Sequence, residues 1–176
     1  EGASSATTVE GVAPQRCRYN YFIGADPAKW RADVTAFSEV LYRGLQPGVD
    51  VRVREQDGNL EYDVVLAPHA DLARVVIRCR GGDGIELGPD GALSIRTPLG
   101  AIRQTLPKTW QETGTGARRP VECSYRKIDG ERFGFAVAAR DANEKLVIDP
   151  ALDWSTLLGG TGDDNGWAVV VDDAGM

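Results

Sequence analysis

Cations are the minority in this 176-residue chain, where 20 Lys and Arg face 26 Asp and Glu. A net charge of -6 with no cationic cluster argues against nucleic acid as a partner. Histidine occurs once, as His69 after Pro68, and there is no G-x-S-x-G nucleophile motif for it to serve, so a surface-loop role is expected. The three cysteines, Cys17, Cys79 and Cys123, include no CxxC pair, and with His69 they lack the ligand spacing of a zinc site. Two readings stay open for them: small buried apolar residues, or one disulfide with a leftover thiol in an oxidising compartment. No stretch approaches the ~18 apolar residues of a membrane span. No basic-then-apolar leader stands at Glu1, whose Ser/Thr/Ala-rich surroundings read as a mature or trimmed start. No amphipathic helix of useful length appears, and no cofactor motif.

What is present is a succession of short strands with turn chemistry between them. Residues 1–15 are small, polar and unpatterned and read as a flexible lead-in. Arg18 to Ile23 predicts a strand, 28–33 a short helical turn with Trp30 plugged into the core beneath it, and Ala36 to Leu45 another strand. The clearest local signal is the hairpin Val51 to Leu66. Asp57-Gly58 as its two-residue loop sets Arg54 opposite Glu61, Val53 opposite Tyr62, Arg52 opposite Asp63 and Val51 opposite Val64. Charges then meet on one face and apolar side chains on the other, and a one-residue slip would mismatch every pair.

Further on, Arg74 to Arg80 alternates with Val75, Ile77 and Cys79 inward. The Pro89-Asp90-Gly91 turn pairs Leu87 with Leu93 and Ile85 with Ile95. Pro98-Leu99-Gly100 turns the chain into Ala101 to Leu106, and Pro107 ends that strand. Thr113 to Arg119 reads as a polar loop. A loop at Asp129-Gly130-Glu131 sets Tyr125 opposite Phe135 and Cys123 opposite Val137, and Leu146 to Ile148 makes a last strand. About ten strands at this spacing predict an all-β, mostly antiparallel sandwich, with a β-barrel as the alternative.

Few residues suggest chemistry. Glu61 and Asp63 project from one strand face, as a glycosidase pair or cation site requires, but the hairpin register hands each an arginine. No catalytic residue is therefore assigned, and the chain is read as a non-enzyme. Trp30, Trp110, Tyr19 and Tyr21 are candidate ligand-binding aromatics, since flat rings stack on sugar faces. Gly159-Gly160-Thr161-Gly162-Asp163-Asp164 overlaps a calcium nonapeptide. Asp163 and Asp164 would be its ligands, but Gly166 replaces the required apolar residue and no tandem copy exists, so a glycine-rich turn is the better reading.

Two resemblances organise the chain. Trp154-Ser155-Thr156-Leu157-Leu158-Gly159-Gly160-Thr161-Gly162-Asp163-Asp164, followed by Trp167 to Asp172 and Gly175, resembles the start of the bacterial β-propeller repeat called the SBBP repeat. Upstream, Asn20 to Trp30, Tyr42 to Asp50, Leu60 to Val65, Ala67 to Asp71 and Leu146 to Pro150 resemble the domain of unknown function that precedes such repeats in large exported bacterial proteins. The implied division is a lead-in over 1–15, a sandwich over 16–150 and a truncated first repeat over 151–176. The last segment holds five Asp and no Lys or Arg, so it carries -5 of the total -6.

The resemblance implies a secreted or cell-surface, non-enzymatic structural or interaction module, with the downstream propeller repeats as partner and a protein or glycan surface ligand besides. It carries over no catalytic residue, and His69 stands where relatives often have Gly. A carbohydrate-binding domain is the alternative, and a hydrolase ranks below it.

Overall fold

A computed structural model describes residues 1–56, 59–98 and 100–153. The strands are β1 (Thr8–Tyr21), β2 (Arg31–Gln46), β3 (Val49–Gln56), β4 (Asn59–Leu66), β5 (Ile77–Arg78), β6 (Gly84–Leu87) and β7 (Leu93–Thr97). They continue with β8 (Gly100–Gln104), β9 (Lys108–Glu112), β10 (Arg118–Pro120), β11 (Cys123–Lys127), β12 (Arg132–Val137), β13 (Lys145–Asp149) and β14 (Leu152–Asp153). Helical structure among the described residues is confined to two 3-10 turns, Pro27–Lys29 and Leu72–Arg74.

One layer is a seven-stranded sheet in the order β1-β2-β3-β4-β13-β9-β10. The other consists of a three-stranded sheet, β11-β12-β5, and a four-stranded sheet, β14-β8-β7-β6. Among the described residues all pairings are antiparallel and every sheet is open, so the sandwich stands and the barrel alternative falls. Val64, Leu66, Leu146 and Ile148 from the large sheet meet Phe133, Phe135 and Tyr125 of the three-stranded sheet and Ile85, Leu93 and Ile95 of the four-stranded one. Burial of each large side chain in this cluster stabilises the fold by roughly 1.5–3 kcal/mol. Tyr125, Phe133 and Phe135 add ring contacts at centroid distances of 5.8 to 6.1 Å.

The three hairpins expected from turn chemistry have the expected registers. Arg54 pairs with Glu61, Val53 with Tyr62, Arg52 with Asp63 and Val51 with Val64. Ile85 pairs with Ile95 and Leu87 with Leu93, and Tyr125 pairs with Phe135 and Cys123 with Val137. The Asp57-Gly58 turn itself and Leu99 lie outside the described residues.

Several expectations need correction. The lead-in over 1–15 becomes strand from Thr8, because β2 is long enough to pair with it. The alternating run 74–80 reduces to two paired residues, since Leu72–Arg74 winds into a 3-10 turn capped by the Asp71 carboxylate on Ala73 N at 2.9 Å. Lys108–Glu112, assigned no element after the break at Pro107, is strand β9, and the polar loop expected over Thr113 to Arg119 gives up Arg118 and Arg119 to β10.

Only Glu39 to Gln46 of β2 pairs with β3. The rest of the β1–β2 hairpin runs on alone by about eight residues, roughly 25 Å of strand, and every residue from 13 to 33 is exposed. Left-handed backbone at Ala13 and Asp33 interrupts its ladder, with register shifts between Pro14 and Arg18 and between Tyr19 and Tyr21. Trp30 therefore sits at the tip of an arm and not in the core.

Candidate functional site

Strand alternation sends one row of the large sheet to the core and the other outward. With Val64, Leu66, Leu146 and Ile148 inside, the outer row carries Arg52 and Arg54 on β3, Glu61 and Asp63 on β4, Lys145 and Asp149 on β13, and Trp110 and Glu112 on β9. All of these but Glu61 line a hollow of about 430 Å³, which Arg118 of β10 and Glu39 of β2 complete.

Arg54 is the centre of this face. Its guanidinium contacts Asp63 at 2.5 Å, Glu61 at 3.1 Å and Asp149 at 3.3 Å. The Asp63 hydrogen bond is the main force holding that guanidinium charged, against the cost of its partial burial. One cation thus faces three carboxylates. Asp63 does not take Arg52 as its partner, contrary to the charge pairing that the register suggested. Arg52 turns instead to Glu39 at 3.6 Å.

The shortage of cations shows in two atoms. Oδ1 of Asp63 and Oδ1 of Asp149 are buried without a hydrogen bond, the second lying at ion-pair distance from Arg54 but outside hydrogen-bonding geometry. Burial pushes the Asp149 carboxyl above its ordinary value, and the nearby Asp63 charge pushes it further. Across the hollow, Lys145 holds Glu112 below the ordinary carboxylate range through a hydrogen bond and ion pair. Arg118 lies over the Trp110 ring with its guanidinium carbon 4.6 Å from the centroid, and Trp110 Nε1 donates to Glu112 Oε1 at 3.5 Å.

This arrangement sets two carboxylate oxygens without a hydrogen bond, charged donors beside them and one aromatic face around a single hollow. Glu61 and Asp63 share one arginine, Arg54. Among the described residues no three His, Cys, Asp or Glu side chains gather into a metal-ligand set. Asp163 and Asp164, the weak calcium candidates, lie outside the described residues.

The four candidate aromatics separate into two places. Trp110 lines the hollow, whereas Tyr19, Tyr21 and Trp30 belong to the β1–β2 arm, with three strands of the sheet between β2 and β9. Tyr19 and Tyr21 stand 6.4 Å apart, and Trp30 meets the Phe22 ring edge-on at 5.4 Å. Sequence reasoning missed Arg54 as a three-way partner, and it missed Asp149 and Glu112 altogether. The carboxylate of Asp149, next to Pro150 and one step past the last inward residue of β13, was the available signal.

A second hollow, about 450 Å³ and largely apolar, opens between the layers beside Val51, Val53, Leu60, Tyr62, Ile77 and Cys79. Of its lining residues, Tyr62 donates its hydroxyl to Gln104 Oε1 at 3.2 Å, and behind them the Tyr125 hydroxyl lies 3.3 Å from the same oxygen and 2.8 Å from Thr105 O. All three cysteines are free thiols: Cys17 is exposed on the arm, and Cys79 and Cys123 are half-buried. His69 has a left-handed φ of 61°, the conformation that glycine adopts most readily, and its amide donates to Ala142 O at 2.7 Å.

No curated protein and no solved structure matches the chain. One family does, over residues 1–151, a span that takes in everything from the first strand to the end of the core. The chain belongs to the family described as a domain of unknown function, DUF7948.

Proposed function

We propose that this domain is a non-enzymatic structural and interaction module of a large exported bacterial surface protein, standing N-terminal to a β-propeller and presenting it. The observation that carries this reading is the way the chain leaves the domain. β13, the last strand of the core, lies in the middle of the large sheet, paired with β4 on one side and β9 on the other. From its end the chain passes through the buried Pro150 into β14, which pairs with β8 of the opposite layer. The chain thus leaves the core from a strand paired on both sides and is held, through β14, to the opposite layer as well. The family match stops at residue 151, where the SBBP-like sequence is about to begin.

The test is deletion of residues 1–151 from the parent protein in its own bacterium. Reduced surface display of the downstream repeats, read by protease shaving of intact cells, is expected. Unchanged display, or a parent protein confined to the cytoplasm, overturns the proposal.

The hollow around Trp110 supports a second reading, a carbohydrate-binding domain. Its specific support is the pair of buried carboxylate oxygens on Asp63 and Asp149 that lack a hydrogen bond, beside an aromatic ring. On a glycan array, signal lost in Trp110→Ala is expected. Absence of any signal at millimolar polysaccharide disposes of it.

A further inference from the structure

The β1–β2 arm gains nothing from the core, yet its tip is tightly built. Phe22 and Ile23 are 61% and 75% exposed, although burial is the ordinary fate of such side chains. Trp30 backs Phe22 edge-on, and its indole Nε1 donates to Gly24 O at 3.1 Å. The Asp26 carboxylate caps the 3-10 turn by accepting from Ala28 N at 3.0 Å, and Trp30 N donates to Pro27 O at 3.1 Å. Gly24, with φ of 76°, allows the reversal. An apolar wedge is therefore held in shape while pointing away from everything else in the domain.

Charge narrows what it meets. From residue 13 to 37 the arm carries Arg16, Arg18, Lys29 and Arg31 against Asp26 and Asp33, a net of +2 on a chain of net charge -6. Asp26 is engaged as a cap and Asp33 faces Arg18 at 3.7 Å. Arg16 and Lys29 make no ion pair among the described residues. A second copy would bring the same positive charge to the same place, so self-pairing of arms is opposed. An anionic surface is favoured. Tyr19 and Tyr21 follow behind the wedge, each with an apolar ring and a polar tip, the amphipathic type that settles at a headgroup boundary.

We propose that the arm docks the protein onto an anionic lipid surface, with Phe22, Ile23 and Trp30 entering the interfacial layer and Arg16, Arg18, Lys29 and Arg31 meeting the headgroups. The contact is peripheral. Among the described residues no helix is long and apolar enough to cross a bilayer, and apolar insertion and headgroup attraction are both needed for stable peripheral attachment.

The experiment is cosedimentation of the full chain with vesicles of phosphatidylcholine alone or mixed equally with phosphatidylglycerol. Binding is expected only to the mixed vesicles, weakening as salt rises. Ile23→Asp should lower it about tenfold or more, and Arg16→Gln and Lys29→Gln about fivefold each. Because these positions lie outside the core, unchanged melting temperatures will show that the variants fold. Absence of binding to either vesicle, or binding indifferent to Ile23→Asp, overturns the assignment. Retention on immobilised polyglutamate without vesicle binding also overturns it and turns the arm toward an acidic protein.

Discussion

Gln111 clamps the backbone of Asp141 from both sides: its Nε2 donates to Asp141 O at 2.7 Å, and its Oε1 accepts from Asp141 N at 2.9 Å. The same Oε1 accepts from Arg119 at 3.0 Å. Gln111 is fully buried, so this fork replaces the water that its amide gave up and fixes the loop leading into β13. Gln111→Leu keeps the volume and deletes the clamp. Urea melts should show a loss of about 2 kcal/mol, and a loss under about 0.5 kcal/mol would mean that the loop holds itself.

Gly48 and Gly44 form a matched pair for separating backbone strain from crowding. Both have left-handed backbone, with φ of 73° and 61°. A Cβ on Gly48 would lie 2.9 Å from the Ala70 Cβ, whereas one on Gly44 meets nothing within 4 Å. Gly44→Ala should cost about 1 kcal/mol from strain alone, and Gly48→Ala about 2 kcal/mol or more. Equal melting shifts in the two variants would remove the steric part of the argument.

The carboxyl of Asp149 sets a pH dependence of unusual sign. Its raised value means that the folded protein holds the proton more tightly than the unfolded chain does. Ionisation therefore costs stability, fully above the raised value and not at all below the ordinary 3.8. Asp149→Asn should stabilise the protein at neutral pH, with Arg54 keeping Asp63 and Glu61, and the gain should vanish near pH ~3. Glu112 behaves oppositely, since Lys145 lowers its value. Lys145→Met should remove stability at neutral pH and little below the carboxylate range. A constant Asp149→Asn difference across the whole range refutes the linkage.

Tyr62 and Tyr125 should resist ionisation in the folded protein. Burial raises both phenols well above the ordinary 10.0, opposed in Tyr62 by the hydrogen bond to Gln104 and strengthened in Tyr125 by the charge that Tyr62 would carry. Stability is intact below that ordinary value and declines as pH rises past it, because the unfolded chain ionises first. An alkaline absorbance titration should release these two tyrosines together with unfolding, and smooth titration of all five ahead of unfolding would contradict the buried hydroxyl pair.

Hairpins were legible in the residues because turn chemistry and alternation are local. The Val51–Leu66, Ile85–Ile95 and Cys123–Val137 registers all follow from them. β9 was not legible, because its inward row is Thr109 and Gln111, polar residues that bury by hydrogen bonding and so erase the alternation. Sheet order was also hidden: nothing in Leu146 to Ile148 says that this strand lies between β4 and β9. The site suffered most from that gap. The face around Arg54 joins residues from β3, β4 and β13, and register within one hairpin could not foresee that Asp149 arrives beside Asp63 and that Arg54, not Arg52, serves both. Tyr19, Tyr21 and Trp30 are exposed on the arm and Trp110 is half-buried; Trp30 was also expected inside, because its detachment from the body depends on the length of β2.

The place of β13 governs the order of assembly. β4 waits with one edge unpaired and the Val64–Leu66 row bare until a strand some 80 positions later in the chain arrives to fill the gap, a span set by the pairing of Leu66 with Leu146. Non-local closure of this kind is slow and leaves a sticky intermediate. A growing polypeptide therefore cannot finish this domain until its final core strand has emerged. Until then the first four strands form a half-built sheet that needs shelter from its neighbours.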